Sequence, residues 1–492
     1  MMVSCRLYVT VCSVRCARRA DIEASTDFIR AAASRTLVST TVNDLIGRYP
    51  FLKEMTCLQQ DEIEFLGKAL KLCKDEANKA SPFLATIGFI PVSSDQIALL
   101  KSLSNVSSDW SKFYIVTDAD DSTLNKIRRC NFSGLIIISH FTDAIDEIDG
   151  FAMPSGLYDS YFSGKCYISR SCHVSSTSMV SNVFLGYKAG IVNCGSVTCK
   201  DYVRASSQPF SDQLVITVGS ETGGRSVTTF AGMNFLDICA QVFCNNTTPM
   251  QIEARADDLF CFSIISFNTI LFRCDRVHNS HIGPKCRISS ANLDSCTLLS
   301  TMDKPITVSS GARLSHCIMN ESCSAINGCL AEYLYMCENS SIGDCARIAH
   351  CVLGPDGSIA GGECHSSLLG PFAGFHHQSL LIASLWPQGR GNIAYGAKIG
   401  ANHTGRVSDQ ECVPGEGIFF GLGCAVKFPS NLLESPYSIV ASGTLLPPQK
   451  ISFPFSLISP LDRPVKSGNA SASQCSLSPG WVILSNPYMI DR

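Results

Sequence analysis

Aliphatic residues recur six positions apart along much of the chain, and this spacing is its strongest structural signal. The segment "IAYGAKI" places Ile393 and Ile399 six residues apart, with the small Ala397 between them. A period of two would predict ordinary strands, and a period near 3.6 would predict amphipathic helices. A period of six is typical of a solenoid whose flat sides each take one hexapeptide. The spacing recurs in the pairs Ile168 and Val174, Val174 and Val180, Leu185 and Ile191, Ile191 and Val197, Ile282 and Ile288, Val308 and Leu314, Ile342 and Ile348, and Leu353 and Ile359.

The fifth position of each hexad is small, as a tight corner inside a coil requires. One aliphatic side chain per flat side would point inward and stack on its counterpart about 4.8 Å away in the next coil. The sequence therefore predicts a mainly β protein, a left-handed parallel β-helix of the hexapeptide-repeat type, with about 18 residues in each three-sided coil. The small residues are Cys172, Ser178, Ala189, Gly195, Cys286, Ala312, Ala346, Gly357 and Ala397.

Segments outside the hexads predict a small α+β region before the coils and a helical insertion within them. "DEIEFLGKALKLCKDEANKA" and "SSDQIALLKSL" have helical spacing, the second with a serine in the capping position before Asp95. "SGLIIIS" predicts a buried strand, and "GMNFLDICAQVF" predicts a helix. "ARADDLFCFSIISFNTILF" is less regular and is also compatible with a helix.

These patterns divide the chain into six segments. The N-terminal extension carries four arginines before its first acidic residue, which is compatible with mitochondrial targeting and equally with a basic tail. The segments are the extension (1–50), an α+β lead-in (51–160), a first β-helix block (161–200), a loop and helical insertion (201–275), the main β-helix block (276–431) and a C-terminal capping segment (432–492).

Composition narrows the classes of partner and compartment. The net charge of −3 provides no basic field, so nucleic acid is not an expected partner. No apolar run reaches the ~20 residues that a membrane-spanning helix needs. The 26 cysteines form no C-x-x-C pair, and we interpret most of them as small buried apolar residues in a reducing compartment, cytoplasmic or organellar.

Seven stretches between residues 90 and 460 carry a family resemblance: "DQIALLKSLSNVSSDWSKFYI", "FSGLIIIS", "PSGLYDSYFSG", "GSETGGR", "FHHQSLLIASLWPQGRGNIAYGAKIGANHTGR", "GEGIFFGLGCAVKFPSN" and "FPFSLIS". Through them the chain resembles a bacterial and protist family of left-handed β-helix proteins in the trimeric hexapeptide-repeat superfamily. The resemblance implies this fold and a homotrimer, but no reaction, because none is assigned to the family. The wider superfamily includes acyltransferases, sugar nucleotidyltransferase domains and γ-type carbonic anhydrases that use zinc.

Polar residues concentrate between positions 370 and 431, where the regular coils are interrupted. Side chains one coil apart on the same face lie only about 5 Å apart, so a composite site is geometrically feasible. "GSETGGR" adds a Gly-rich loop that can cradle a phosphate, or serve as a hinge into the insertion. The candidate catalytic residues are His376, His377 and His403, and the candidate ligand-binding residues are Asn392, Asn402, Arg406, Asp409, Glu411, Glu416, Lys427, Glu221 and Arg225.

Three functional hypotheses fit these residues. In the first, a histidine acts as general base in the transfer of an acyl or related group, from an acyl-CoA or acyl-carrier donor, to a sugar or sugar nucleotide. In the second, the protein is a non-catalytic scaffold or binds a small-molecule ligand, with these side chains holding loops to the coil. In the third and least favoured, His376 or His377 joins His403 on a zinc ion, and Glu411 or Glu416 acts on the bound water. The adjacent His376 and His377 are a poor chelate, because neighbours on a strand point to opposite faces.

Overall fold

A computed structural model describes eight stretches of the chain: residues 84–85, 88–148, 151–200, 214–219, 225–243, 262–400, 411–461 and 475–490. The N-terminal extension and the helix predicted from "DEIEFLGKALKLCKDEANKA" lie outside the described residues. None of the helices in the described parts is both long and apolar enough to cross a lipid bilayer.

The N-terminal part combines short helices with strands that lead into the coils. The helix predicted from "SSDQIALLKSL" is present, and Ser93 and Gln96 form its capping box. The first strand pairs antiparallel with the third, whereas the fifth, predicted from "SGLIIIS", runs parallel to the first long coil strand. The elements are β1 Phe89–Pro91, α1 Ser94–Ser102, β2 Val106–Ser107, β3 Phe113–Val116, α2 Asp121–Leu124, β4 Ile127–Arg128, β5 Asn131–Ile138, β6 Ile145–Ile148 and β7 Phe151–Met153, with a 3-10 turn at Trp110–Lys112.

The middle of the chain begins with regular coils and then leaves them for an insertion. The insertion contains an antiparallel hairpin and one helix, as predicted from "GMNFLDICAQVF". The coil strands are β8 Gly156–Tyr158, β9 Tyr161–Ile168, β10 His173–Ser175, β11 Met179–Leu185, β12 Gly190–Val192 and β13 Ser196–Thr198. The insertion contains β14 Leu214–Val218, β15 Arg225–Thr229 and α3 Phe235–Phe243.

The coils then resume and continue to residue 460. The strands are β16 Ser263–Ile265, β17 Ile270–Phe272, β18 Arg276–His278, β19 His281–Ile282, β20 Arg287–Ser289, β21 Asn292–Asp294, β22 Thr297–Leu298, β23 Thr307–Ser309, β24 Arg313–Met319, β25 Ser324–Ala325, β26 Leu330–Met336, β27 Ser341–Gly343, β28 Arg347–Leu353, β29 Ser358–Ala360, β30 Glu363–His365, β31 Leu368–Leu369, β32 Gly374–His376, β33 Leu380–Ile382, β34 Leu385–Trp386, β35 Asn392–Ile393, β36 Lys398–Ile399, β37 Cys412–Val413, β38 Phe419–Phe420, β39 Ala425–Val426, β40 Ser430–Asn431, β41 Ile439–Val440, β42 Leu445–Leu446, β43 Gln449–Lys450 and β44 Leu457–Pro460.

These strands form a parallel β-helix of about 15 coils, which confirms the predicted fold class. In the described residues a 22-stranded sheet supplies most of two sides of the prism and a 16-stranded sheet supplies the third. The last strand of the 16-stranded sheet, β45 Cys475–Ser478, runs antiparallel to β44 and covers its edge. The chain continues into α4 Trp481–Ser485 and a 3-10 turn at Pro487–Met489. The left-handed winding stays a prediction.

The aliphatic residues of the hexads fill the interior of the prism, as the six-residue spacing predicted. Ile393 and Ile399 are completely buried, and Ile342, Ile348 and Leu353 are at most 3% exposed. Each lies in register with aliphatic, aromatic or small residues of the adjacent coils, so the core is a set of continuous ladders. The segment "FSIISFNTILF", for which a helix was an option, forms strands β16 and β17 of this core instead.

A regular coil contains 17 residues rather than the predicted 18. Ile342 pairs with Ile359 in the next coil, and the steps between inward residues are six, five and six. The five-residue step lies between Ile348 and Leu353, because a single residue, His350, turns that corner with a φ of 54°. One left-handed residue replaces a longer turn and removes one residue from the coil.

Left-handed residues mark all three corners of the prism, and few of them are glycine. Their φ values lie between 42° and 59°, in the left-handed region that asparagine and aspartate tolerate best. One corner, within the bent strands β24, β26 and β28, contains Asn182, Asn279, Ser295, His316, Tyr333, His350, Ser366 and Ala383. The second corner contains Ser176, Asn193, Arg273, Ser290, Ser310, Asn327, Asp344, His377 and Gln378. The third corner contains Ser171, Lys188, Asn268, Lys285, Ser322, Asn339, Asp356, Phe372 and Arg390.

The insertion covers one of the two sides that the bent strands form. Before the corner, in "RLS", "LAE" and "RIA", a buried residue stands between two outward ones; after it the residues are apolar throughout, as in "CIM", "LYM" and "CVL". Continuous apolar runs are typical of strands buried on both faces. Outward residues of the second half pack against β14, β15 and α3; they are Ile318, Tyr335, Val352, Leu368 and Leu385.

Candidate functional site

Two predicted site residues, His376 and Asn392, meet on the outer face of the 16-stranded sheet. Gly374 in β32 pairs with Asn392 in β35, one coil later. A Cβ atom at Gly374 would lie 3.3 Å from Nε2 of His376 and 3.3 Å from Oδ1 of Asn392. The glycine therefore leaves a small niche between an imidazole nitrogen and an amide oxygen. We call these three residues the His376 niche.

The His376 niche contains two atoms that can accept hydrogen bonds from a ligand. Oδ1 of Asn392 is buried and has no hydrogen-bond partner among the described residues. Burial lowers the pKa of His376, and the adjacent His377 lowers it further. Because a lowered pKa favours neutral imidazole, His376 can accept a proton at neutral pH. The two imidazole rings lie 5.8 Å apart between centroids, and His377 itself is exposed at the coil corner.

Arg225 and Glu411, both predicted to bind ligand, bind each other. Nε of Arg225 donates to Oε1 of Glu411 and Nη2 donates to Oε2, each at 2.9 Å. Hydrogen bonding to Glu411 raises the pKa of Arg225. This bidentate pair ties the start of β15 to the residue before β37, across 186 positions of sequence. Its geometry fits a clamp between the insertion and the coil.

Glu416 also has partners within the protein. Oη of Tyr437 donates to its carboxylate at 3.0 Å, and Nε of Arg390 lies 3.5 Å from the same oxygen. Burial raises the pKa of Tyr437, and the charge of Glu416 adds to the effect. Lys427 is half-buried, and its backbone N–H donates to the carbonyl of Leu446 at 2.9 Å. The structure thus brings neither Glu416 nor Lys427 to the His376 niche.

Five of the predicted site residues lie outside the described residues: His403, Asn402, Arg406, Asp409 and Glu221. The ends of the segments that contain them are described. Gly219, Arg225 and Glu411 lie together, since a Cβ at Gly219 would come 2.6 Å from Oε1 of Glu411. Both ends of the "GSETGGR" segment, Gly219 and Arg225, therefore lie beside Glu411.

The described residues contain no group of three or more His, Cys, Asp and Glu side chains that could hold a metal ion. The described cysteines carry free thiols, and all of them except Cys239, Cys345 and Cys475 are buried. Burial raises the pKa of Cys412 to about 12, so its thiol stays protonated at neutral pH. This matches the interpretation of most cysteines as small apolar core residues.

Sequence reasoning missed an open groove of about 420 Å³ on the uncovered half of the bent strands. Arg313, Leu330, Glu332, Arg347 and His365 line part of it. These residues are not clustered in sequence but recur at 16- to 18-residue intervals on outward positions. The signal was that "RLS", "LAE", "RIA" and "ECH" each place at least one polar residue beside a central inward residue, once per coil. We call this surface the arginine groove.

Comparison with known proteins gives a family but no assigned activity. Residues 89–407, more than half of the chain, match the family described as Domain of unknown function (DUF4954). An uncharacterized protein of Treponema pallidum (strain Nichols) is 24% identical over 420 residues, which cover 82% of this chain and 56% of that protein. The chain thus spans little more than half the length of this relative.

Proposed function

The chain belongs to the DUF4954 family, and from that premise we propose that it transfers an acyl or related group to a hydroxyl or amine, with His376 as the general base. The observation that carries this proposal is the convergence of Nε2 of His376 and Oδ1 of Asn392 on the space beside Gly374. It is a pair of acceptor atoms on a rigid strand surface, of which Oδ1 of Asn392 is buried and unpartnered among the described residues. A sugar or sugar nucleotide remains the acceptor class implied by the resemblance.

The proposed reaction requires a donor and an acceptor. The acceptor's hydroxyl or amine gives its proton to His376 and attacks the carbonyl carbon of an acyl thioester, such as acyl-CoA. The C–S bond breaks, and the thiolate that leaves takes a proton back from the imidazolium. Asn392 would accept a hydrogen bond from a second donor group of the acceptor molecule and so hold it in place. The homotrimer implied by the resemblance is part of this proposal, and sedimentation analysis of the 53.1 kDa chain tests it.

Replacement of His376 tests the catalytic role. With acetyl-CoA as donor and glucosamine as acceptor, both detected by mass spectrometry, His376→Gln should lower the rate of product formation by about 100-fold. Its melting temperature should stay within about 2 °C of the original, since the side chain is half-exposed. The matched control is His316→Gln, which removes an exposed histidine from another corner of the prism and should leave the rate unchanged. Absence of product with the unmodified protein, or full activity of His376→Gln, would overturn the proposal.

A non-catalytic scaffold or ligand-binding protein is the second candidate, and two observations favour it. Arg225 binds Glu411, and Glu416 binds Arg390 and Tyr437, so three of the residues predicted to bind a ligand are paired inside the molecule. In that case the unmodified protein should form no acyl-transfer product, and a scaffold should show no ligand-induced thermal shift with acyl-CoA or nucleotide sugars. If the Arg225–Glu411 pair is a structural clamp, Glu411→Gln should lower the free energy of unfolding.

The compartment remains part of the proposal. The buried free thiols of the core, such as Cys351 and Cys364, support a reducing environment, cytoplasmic or organellar. Fusion of residues 1–50 to a fluorescent protein tests the mitochondrial alternative. Mitochondrial fluorescence would favour targeting, and diffuse fluorescence would favour a basic tail.

A further inference from the structure

We propose that the arginine groove is a second binding site, which takes a small oxyanion that also carries hydroxyl or amino groups. Arg313 and Arg347 would hold the carboxylate or phosphate, and Glu332 would accept hydrogen bonds from its hydroxyl or amino groups. This proposal does not depend on the His376 niche, which lies on the other sheet.

The strand register places the two arginines symmetrically around one apolar residue. Arg313 pairs with Leu330, and Leu330 pairs with Arg347, so all three occupy the same outward row of successive coils. Strands lie about 4.8 Å apart, so the two arginine backbones are separated by roughly 10 Å. Arginine side chains are long enough for both guanidinium groups to reach one anionic group placed above Leu330. Leu330 is 38% exposed and forms the floor between them.

The charges along this row are not all balanced within the protein. Arg276, in the same row two coils earlier than Arg313, has its guanidinium Nη2 2.9 Å from Oδ2 of Asp294. Arg313 and Arg347 have no ion pair among the described residues. Two unpaired positive charges in one row repel each other weakly, and an anion between them would remove that repulsion.

Glu332 supplies the second half of the recognition. It follows Leu330 by two positions on β26, so it projects from the same outer face, beside the arginine row. Its register neighbours are Ser315 and Ala349, both uncharged, and its carboxylate has no ion pair in the described parts of the chain. A free carboxylate at this position disfavours a bare anion and favours one that brings its own hydrogen-bond donors. A second carboxylate, Glu363, is the register neighbour of Arg347 in the following coil and binds His365 at 3.0 Å.

The size of the groove fits a small molecule. Ligand sites usually enclose ~300 to 1,000 Å³, and the arginine groove measures about 420 Å³. The floor is formed by β strands that are held on their inner side by the hydrophobic ladders, so the charged rows have fixed spacing. A rigid array of this kind loses little conformational entropy on binding.

Calorimetric titration at low ionic strength tests the proposal, because salt screens exposed charges. The probes are gluconate and glucose 6-phosphate, with neutral glucose and sulfate for comparison. We expect gluconate or glucose 6-phosphate to bind with a Kd of about 1 mM or lower, and glucose not to bind. The stronger of the two anions identifies carboxylate or phosphate as the preferred group. The double variant Arg313→Gln/Arg347→Gln should weaken this binding by about tenfold or more.

Matched variants separate the site from general surface charge. Arg273→Gln removes the same charge from an exposed arginine that does not line the groove, so it should change the Kd by less than about twofold. Glu332→Gln should reduce the preference for the hydroxylated anions over sulfate, and His376→Gln should bind as the original does. The proposal is wrong if neither hydroxylated anion binds, if Arg273→Gln weakens binding as much as the double variant, or if the double variant binds normally.

Discussion

The bent strands β24, β26 and β28 present two outer faces that differ sharply although the same strands form both. On one side of the corner the outward residues are apolar and lie under the insertion; on the other they are charged and form the arginine groove. Tyr335 is fully buried, whereas Leu330, five positions earlier on β26, is 38% exposed.

This difference shows that the interior ladders specify the coil and the outward residues specify what the coil contacts. Both halves place aliphatic residues inward with equal regularity, as Ile348 and Leu353 do on β28. Only the outward positions change, from Arg347 and Ala349 to Val352. An outward apolar row requires a cover because it would otherwise leave a large apolar patch in water.

Loss of the Tyr335 side chain, which lies under the insertion, should have the largest effect on the free energy of unfolding. Oη of Tyr335 donates to the carbonyl of Met233 at 2.8 Å and accepts from Nδ2 of Asn320 at 2.9 Å. Tyr335→Ala removes a buried ring together with both hydrogen bonds, so we expect the free energy of unfolding to fall by about 4 kcal/mol. Urea unfolding followed by circular dichroism measures this change.

Tyr333 gives the matched control on the same strand. It lies at the corner, half-buried, and its ring stacks between His316 and His350 with centroid distances of 4.8 Å. Tyr333→Ala should cost only about 1 kcal/mol, because its half-buried ring packs only at the edge of the covered cluster and makes no hydrogen bond to the insertion in the described residues. Equal losses for the two variants would contradict the difference between the two halves.

Acid should destabilise the covered half through His281. This residue is an outward position of β19 in the second half, is 2% exposed, and has Ile264 and Thr297 as register neighbours. Burial lowers the pKa of His281 to about 4. The unfolded chain therefore binds the proton more readily, and stability present above pH 6.5 is lost as the pH falls toward 4. Between pH 7 and pH 5 the expected loss is about 2 kcal/mol.

The variant His281→Gln isolates this contribution. Its stability should change less between pH 7 and pH 5 than that of the original protein, by about the same 2 kcal/mol. Urea unfolding at both pH values gives the comparison. A pH dependence that is unchanged in His281→Gln would show that this histidine is not buried in its neutral form.

The clamp between the insertion and the coil should have an intermediate effect. A double-mutant cycle with Arg225→Ala and Glu411→Ala should give a coupling energy of about 1 kcal/mol, since both side chains are partly exposed and the pair is bidentate. The exposed pair Lys450 and Glu434, at 2.9 Å, is the matched control and should give less than about 0.5 kcal/mol. A coupling energy of zero between Arg225 and Glu411 would show that this pair does not hold the insertion to the coil.

Changes in the open half should have the smallest effect on stability. Arg313→Gln and Arg347→Gln alter exposed side chains without an ion pair in the described residues, so each should shift the free energy of unfolding by less than about 0.5 kcal/mol. Urea midpoints measured beside those of Tyr335→Ala provide the comparison. A loss of several kcal/mol from either arginine would mean that this half is also a covered surface.

The six-residue spacing was sufficient to predict the inward ladder, because each aliphatic residue is buried by local geometry repeated in every coil. It could not predict the 17-residue period. That period depends on single corner residues, and His316 and Tyr333 carry no local signal for a positive φ. The docking of the insertion was also not predicted, since it joins residues more than 100 positions apart, such as Met233 and Tyr335.

The candidate site was predictable in part, because the repeat places residues about one coil apart next to each other. His376 and Asn392 come together because their strands lie one coil apart, which the repeat length implies. The partnership of Arg225 with Glu411 depends on the path of the insertion, and no repeat in the sequence encodes that path. The arginine groove was missed because its residues form a row across coils rather than a cluster along the chain.

Hydroxyl-radical footprinting with mass spectrometry tests the central claim most directly, since it compares Leu330 and Tyr335 within one strand. Tyrosine reacts faster than leucine when both are free in water. If one strand has an open half and a covered half, Leu330 should be oxidised in the native protein while Tyr335 stays protected until the protein unfolds. Oxidation of native Tyr335 as fast as Leu330 would contradict the account.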